Sequence, residues 1–210
     1  MRSFPPPGFP PEIRKVWDEL IQEFFFLNSN WYLFKELYGT EESVKTLNGV
    51  APGPFCLIGF MFRREFTMGI CRITDPKSTG PKDNLKENLT IDQLLHLVRE
   101  HCADTEFADE LAARKAKIDA LLPPIRDRRN RAFGHLDLPT AVGEHPSPLP
   151  SVKSDVMGEA IQLIGKLLVE VNHYFTGAWL DTTPNPQWSG ESLLRALNEW
   201  QSSAVRPHQS

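Results

Sequence analysis

The stretch RDRRNRAFGHLD, residues 126–137, sets four arginines within six positions and closes on a histidine and an aspartate. Histidine gives and takes a proton near neutral pH. Arginine stays charged and offers a planar fork to phosphate oxygens. Together they suffice for RNA cleavage without a metal: one group assists the 2′-OH, and the other stabilises the added charge on the phosphorane. The competing reading is a basic surface helix whose last histidine caps its own C-terminus, where a cation is favoured. Between Ala112 and Arg131 seven Lys/Arg face only Asp119 and Asp127, a local net charge of +5 in a chain of formal charge −4. Any contact with nucleic acid is therefore expected to be local.

Spacing sharpens the question. A helix advances about 100° per residue, so Arg131 and Arg128 each share a face with His135. Arg129 and His135 are six apart, roughly 120° around an ideal helix. Those two converge on one ligand only if the helix loosens near Gly134 or a second chain completes the site.

The elements that must hold this stretch are helical. Apolar residues at 13, 16, 20, 24, 27, 31, 34 and 38 mark a long amphipathic helix ended by Gly39. TEESVKTLNG predicts two further turns before APGP breaks them. Phe55, Ile58, Phe62, Phe66, Gly69 and Ile73 mark the next helix, and Leu57, Met61 and Met68 add apolar surface on other faces, which predicts a central, most buried element. TDPKSTGPKDNLKEN is dense in breakers and reads as a loop. Thr90 caps a helix carrying Ile91, Leu94, Leu95 and Val98; Phe107, Leu111, Ile118 and Leu122 mark another. Pro123 and Pro124 are expected to cut that helix, a new one starting there to carry the arginines. After the loop LPTAVGEHPSPLPS, Ser154 caps a helix with Val156, Ala160, Leu163, Leu167, Val171 and Tyr174. SGESLLRALNEW gives a last short helix with Leu193, Leu197 and Trp200 on one side. No β alternation and no internal repeat is visible. The expected architecture is all-α, an up-and-down four-helix bundle with short accessory helices. It divides into a Pro-rich arm (1–11), the bundle (12–176) and a C-terminal extension with a short helix (177–210).

RNRAFGH resembles the R-x(4–6)-H motif of the HEPN superfamily, in which a polar residue commonly follows the arginine. The match falls on Arg129, Asn130 and His135. RNRAFGHLD is most similar to the abortive-infection-associated HEPN branch, with Gly134 where alanine is common. TDPKSTGPKDNL with ENLTIDQLL also resembles that branch's Asp-Pro loop and its NL(S/T) helix start. The resemblance implies a HEPN-like bundle, a dimer that brings two motifs into one cleft, and metal-independent ribonuclease activity in a toxin or phage-defence effector. It implies catalytic roles for Arg129, Asn130 and His135. Arg126, Arg128 and Arg131 are the candidate RNA-phosphate contacts, and Asp137 could orient His135 or simply terminate the helix.

Other constellations carry less. HLVREHC places His96 and Glu100 one turn apart, a spacing zinc sites use, but His101 and Cys102 point elsewhere on a regular helix and no third ligand is evident. No metal or cofactor is expected. Arg63 and Arg64, in FRREF, read as a polar stripe more readily than as a cleft wall. The consecutive Phe24, Phe25 and Phe26 cannot all face one core, so some of that surface is expected to meet another helix or subunit. Cys56, Cys71 and Cys102 form an odd set that fits reduced thiols in a cytoplasmic protein. MRSFPPPGFPPE has no apolar h-region, and no apolar run is long enough to span a bilayer. The expected partners are RNA, a second copy and a cognate antitoxin protein. The rival class is a non-catalytic binding or assembly module, in which the basic helix docks a phosphate-bearing ligand or an acidic partner.

Overall fold

The computed structural model describes residues 8–134, 137–185 and 189–204. Among these the fold is all-α. Four long helices, α1 (Pro11–Tyr38), α3 (Pro52–Thr74), α5 (Thr105–Arg128) and α7 (Ser154–Thr176), form its framework. Shorter ones are α2 (Glu41–Val50), α4 (Ile91–His101), α6 (Leu138–Ala141) and α8 (Gly190–Ala204). A π-helical turn, Arg129–Gly134, continues α5 without a break.

The chain forms two compact units, and α1 and α3 each contribute to both. One is drawn from Met1–Leu27 and Thr67–Thr182. Its core joins Ile13, Leu20 and Phe24 of α1, Ile70 and Ile73 of α3, Leu94 of α4, the α5 stripe, and α7. α7 is the most enclosed element, burying Ala160, Ile161, Ile164, Leu167, Leu168 and Val171 among others. Each of the isoleucine, leucine and valine side chains contributes about 1.5–3 kcal/mol on leaving water. Gly177, at φ 73°, ends α7 by donating its N–H to the His173 carbonyl at 2.8 Å. Ahead of α1, Gly8 donates to the Phe175 carbonyl at 2.9 Å and the Phe9 ring packs on Trp17 and Phe175.

The second unit is drawn from Asn28–Phe66 and Thr183–Ser210. Its centre is aromatic: Trp31, Phe34 and Tyr38 of α1 against Phe62 and Phe66 of α3. Tyr38 donates its hydroxyl to the Phe55 carbonyl at 2.7 Å. α2 begins with a capping box between Thr40 and Ser43 and is tied to α8 through Thr46 and Asn198 at 3.0 Å.

Several expectations need correction. α3 is not the most buried helix: Leu57, Ile58, Phe60 and Met61 in its first half are exposed. Its apolar residues cover too many faces for the described chain to enclose them all. α5 runs straight through Pro123 and Pro124. The buried stripe Leu111, Ile118, Leu122 and Ile125 keeps its phase across both prolines, and this packing overrides the local penalty. The breaker-rich loop contains a minimal antiparallel hairpin, β1 (Ser78–Thr79) with β2 (Lys86–Glu87), too short to show alternation. Thr90 caps α4 as expected, accepting from the Gln93 N–H at 3.3 Å. Ser154 is already helical, and the preceding Lys153 supplies no side-chain cap. On α8, Leu193 and Trp200 are exposed and do not form the packed side.

Candidate functional site

The site lies where the end of α3 meets the end of α5. Pro76 restricts the residue before it to extended backbone, so α3 stops at Thr74 and Asp75 projects from its C-terminus. The loop beyond is fastened by Asn88, whose side-chain amide donates to the Pro76 carbonyl and whose backbone N–H donates to the Lys77 carbonyl, both at 2.8 Å.

Two arginines reach this end. Arg126 Nη2 donates to the Thr74 carbonyl at 2.6 Å, satisfying one of the carbonyls a helix C-terminus leaves open. Its Nε is buried without a hydrogen-bond partner among the described residues. Arg129 Nη1 donates to Asp75 Oδ2 at 2.6 Å, and its Nε donates to Asn130 Oδ1 at 3.0 Å. Asn130 thus contacts Arg129 from within the motif. These bonds use Nε and one hydrogen on Nη1, leaving Nη2 as the unengaged edge of the fork among the described residues.

Arg128 faces elsewhere, donating to the Pro150 carbonyl at 2.9 Å with its guanidinium 5.4 Å from the Phe133 ring centre. Arg131, expected among the phosphate contacts, is buried. It donates to Thr140 Oγ1 (3.0 Å), Asp127 Oδ2 (3.2 Å) and the carbonyls of Ser147 (2.8 Å) and Pro148 (3.3 Å). Those contacts give it a structural task, holding the segment after the π turn. Asp137 caps α6: its Oδ2 accepts from the Thr140 hydroxyl at 2.6 Å and N–H at 3.0 Å. The Thr140 hydroxyl, then its N–H, hold the Asp137 carboxyl below its ordinary value. These bonds make Asp137 the start of α6. His135 lies outside the described residues.

The π turn changes the spacing problem. Its i→i+5 bonding spreads one circuit over more residues than an α turn does, and such turns recur at functional sites. A Cβ built on Gly134 would lie 3.3 Å from the Arg129 carbonyl oxygen and 3.8 Å from its Cγ, so position 134 stands directly over Arg129. The angular advance of an ideal α-helix thus does not describe residues 129–134.

Beneath the cluster, burial pushes the Cys71 thiol up to about 11, with Arg129 opposing and Asp75 reinforcing the shift. It is a neutral core thiol at physiological pH. His96 Nε2 lies 3.3 Å from Glu100, and Cys102 donates to the Tyr174 hydroxyl at 3.2 Å. Among the described residues no group of three or more His, Cys, Asp or Glu is placed to hold a metal. Arg63 lies 6.0 Å from the Phe34 ring centre. Among the same residues, no helix is long and apolar enough to cross a membrane.

The residues that sequence reasoning left without a role are Thr74 and Asp75. They were visible in the TDP of the loop, but only the fold brings them to the arginines, Asp75 being 54 positions from Arg129. Neither the curated proteins nor the solved structures yield a match. The HEPN_AbiU2 family, described as AbiU2, matches residues 11–192, a span that contains both units' long helices and the whole arginine–histidine stretch. The chain belongs to this HEPN-type abortive-infection family.

Proposed function

We propose that the protein is a metal-independent endoribonuclease acting as a homodimeric abortive-infection effector, with Arg129, Asn130 and His135 as its catalytic residues. The observation that carries this reading is Arg129 itself. It is the arginine the family motif selects, it opens a π turn, and it is held by Asp75 and Asn130 with one edge of its fork unengaged among the described residues. In the proposed reaction the 2′-oxygen attacks the adjacent phosphorus and the bond to the 5′-oxygen breaks. His135 handles the proton, and Arg129 stabilises the charge gathering on the phosphorane. Arg126 and Arg128 add positive potential along the RNA backbone. A cognate antitoxin protein would hold the activity in check. The local charge of +5 around the motif supports an RNA contact confined to this region.

The test is incubation of the purified protein with RNA in EDTA. Cleavage is expected to persist, leaving 2′,3′-cyclic phosphate and 5′-hydroxyl ends, and a 2′-deoxyribose at the cleaved position should block it. Activity lost in chelator and restored by a divalent ion would overturn the mechanism. A protein that binds RNA and never cleaves it would pass to the binding-module reading.

A further inference from the structure

We propose that Asp75 is a positioning residue for Arg129, fixing the guanidinium by its Nη1 corner so that the Nη2 edge is presented to an RNA phosphate; this rests on the ribonuclease reading above. Three observations converge on it. The carboxylate contact, at 2.6 Å, is a charge-assisted bond joining side chains that are both largely shielded from water. The carboxylate stands on rigid backbone: the Asp75 N–H donates to the Cys71 carbonyl at 2.7 Å, Pro76 restricts its ψ, and Asn88 fastens the following residues at 2.8 Å. Asn130 holds Arg129 at Nε, and Asp75 holds it at Nη1. A guanidinium restrained at both points is ordered before the phosphate arrives, so that ordering is not charged to the transition state.

The other arginines of the stretch set the contrast. Arg126 and Arg128 donate to main-chain carbonyls, and the acidic partner of Arg131 is Asp127 of the same helix, one turn back. Among the four, Arg129 is the one paired with a carboxylate from a different helix end. The loop TDPKSTGPKDNL thereby acquires a task, which is to carry Asp75 and hold it still.

A positioning role and a merely structural one give opposite signatures. Removing Asp75 leaves Arg129 charged and adds one net positive charge beside the RNA path. RNA binding should therefore hold or tighten while turnover falls. For Asp75→Ala the expected result is a kcat lower by on the order of 10-fold to 100-fold, with KM unchanged or reduced. In an Arg129→Ala background the same change should cost nothing further. Asn88→Ala, which keeps the carboxylate and loosens its loop, should lower kcat in the same direction by less, and it serves should Asp75→Ala fold poorly. An activity-independent readout is the side-chain Nε–H signal of Arg129 in a 15N–1H spectrum, assigned by its loss in Arg129→Lys. It should shift or broaden in Asp75→Ala while the Arg131 signal stays in place. Unchanged or faster turnover, a raised KM with kcat intact, or an unaltered Arg129 signal would each overturn the proposal. If the parent protein cleaves no RNA, the ribonuclease reading fails by itself, and the spectra still decide whether Asp75 orders Arg129.

Discussion

Arg129 and Arg131 stand two positions apart and are engaged in opposite ways. The fork of Arg131 is enclosed by four oxygen acceptors of its own chain, whereas Arg129 keeps its Nη2 edge without a described partner. Arg128 lies between these extremes, half-buried on Pro150 and Phe133. Alanine at the three positions should therefore produce three phenotypes. Arg131→Ala should cost about 2–4 kcal/mol of stability in urea, because carbonyls and a carboxylate lose a charged donor. Arg128→Ala should mainly weaken RNA binding and flatten its salt dependence, as loss of one phosphate contact would. Arg129→Ala should remain folded, with a smaller stability loss than Arg131→Ala, and slow cleavage at saturating RNA by on the order of 100-fold. Loss of turnover in Arg128→Ala with Arg129→Ala intact would reverse the assignment. The motif singles out Arg129, but RDRRNR alone does not show that Arg131 is enclosed or that Arg129 is paired across the fold, since the partner that holds Arg129 lies 54 positions away.

Among the elements, the long helices were legible because their stripes repeat over many turns. Ile13 to Tyr38 reads as one helix, and α1 is one helix, Pro11–Tyr38. Local cap chemistry was equally plain at Thr90. Continuity across Pro123 and Pro124 was written in the phase of Ile118, Leu122 and Ile125, but a rule about proline outweighed it. The π turn had no signal of its own beyond Gly134, because an i→i+5 register is imposed by what the helix end must reach. Close packing between elements leaves a testable mark at Gly165 of α7. A Cβ there would lie 2.5 Å from Cζ of the buried Phe24 ring. Gly165→Ala gains roughly 0.5–1 kcal/mol of helix preference, but overpacking costs about 1–3 kcal/mol. Chemical denaturation should show a net loss of about 1–2 kcal/mol, and a more stable variant would mean that Phe24 has room to yield.

For the whole molecule, the family match over residues 11–192 takes in both compact units, so membership rests on much more than the short motif. The all-α architecture and the motif region were readable from periodicity and from RNRAFGH. The second half of the site, Thr74 and Asp75, was not, because it requires the end of one long helix to meet the end of another. The central claim is that Arg129 and His135, contributed by two copies of the chain, form one RNA-cleaving cleft that needs no metal. A closed two-fold assembly is the commonest arrangement that brings two identical segments together. The most direct measurement mixes two variants, Arg129→Ala and His135→Ala, each first shown to be folded and dimeric, under conditions that exchange subunits. RNA cleavage is then followed in EDTA. Each variant alone should be nearly inactive, and the mixture should recover cleavage, since every mixed dimer retains one Arg129 and one His135 in its shared cleft. A mixture that exchanges subunits and stays as inactive as its parents, or a His135→Ala variant that cleaves like the native chain, would contradict it.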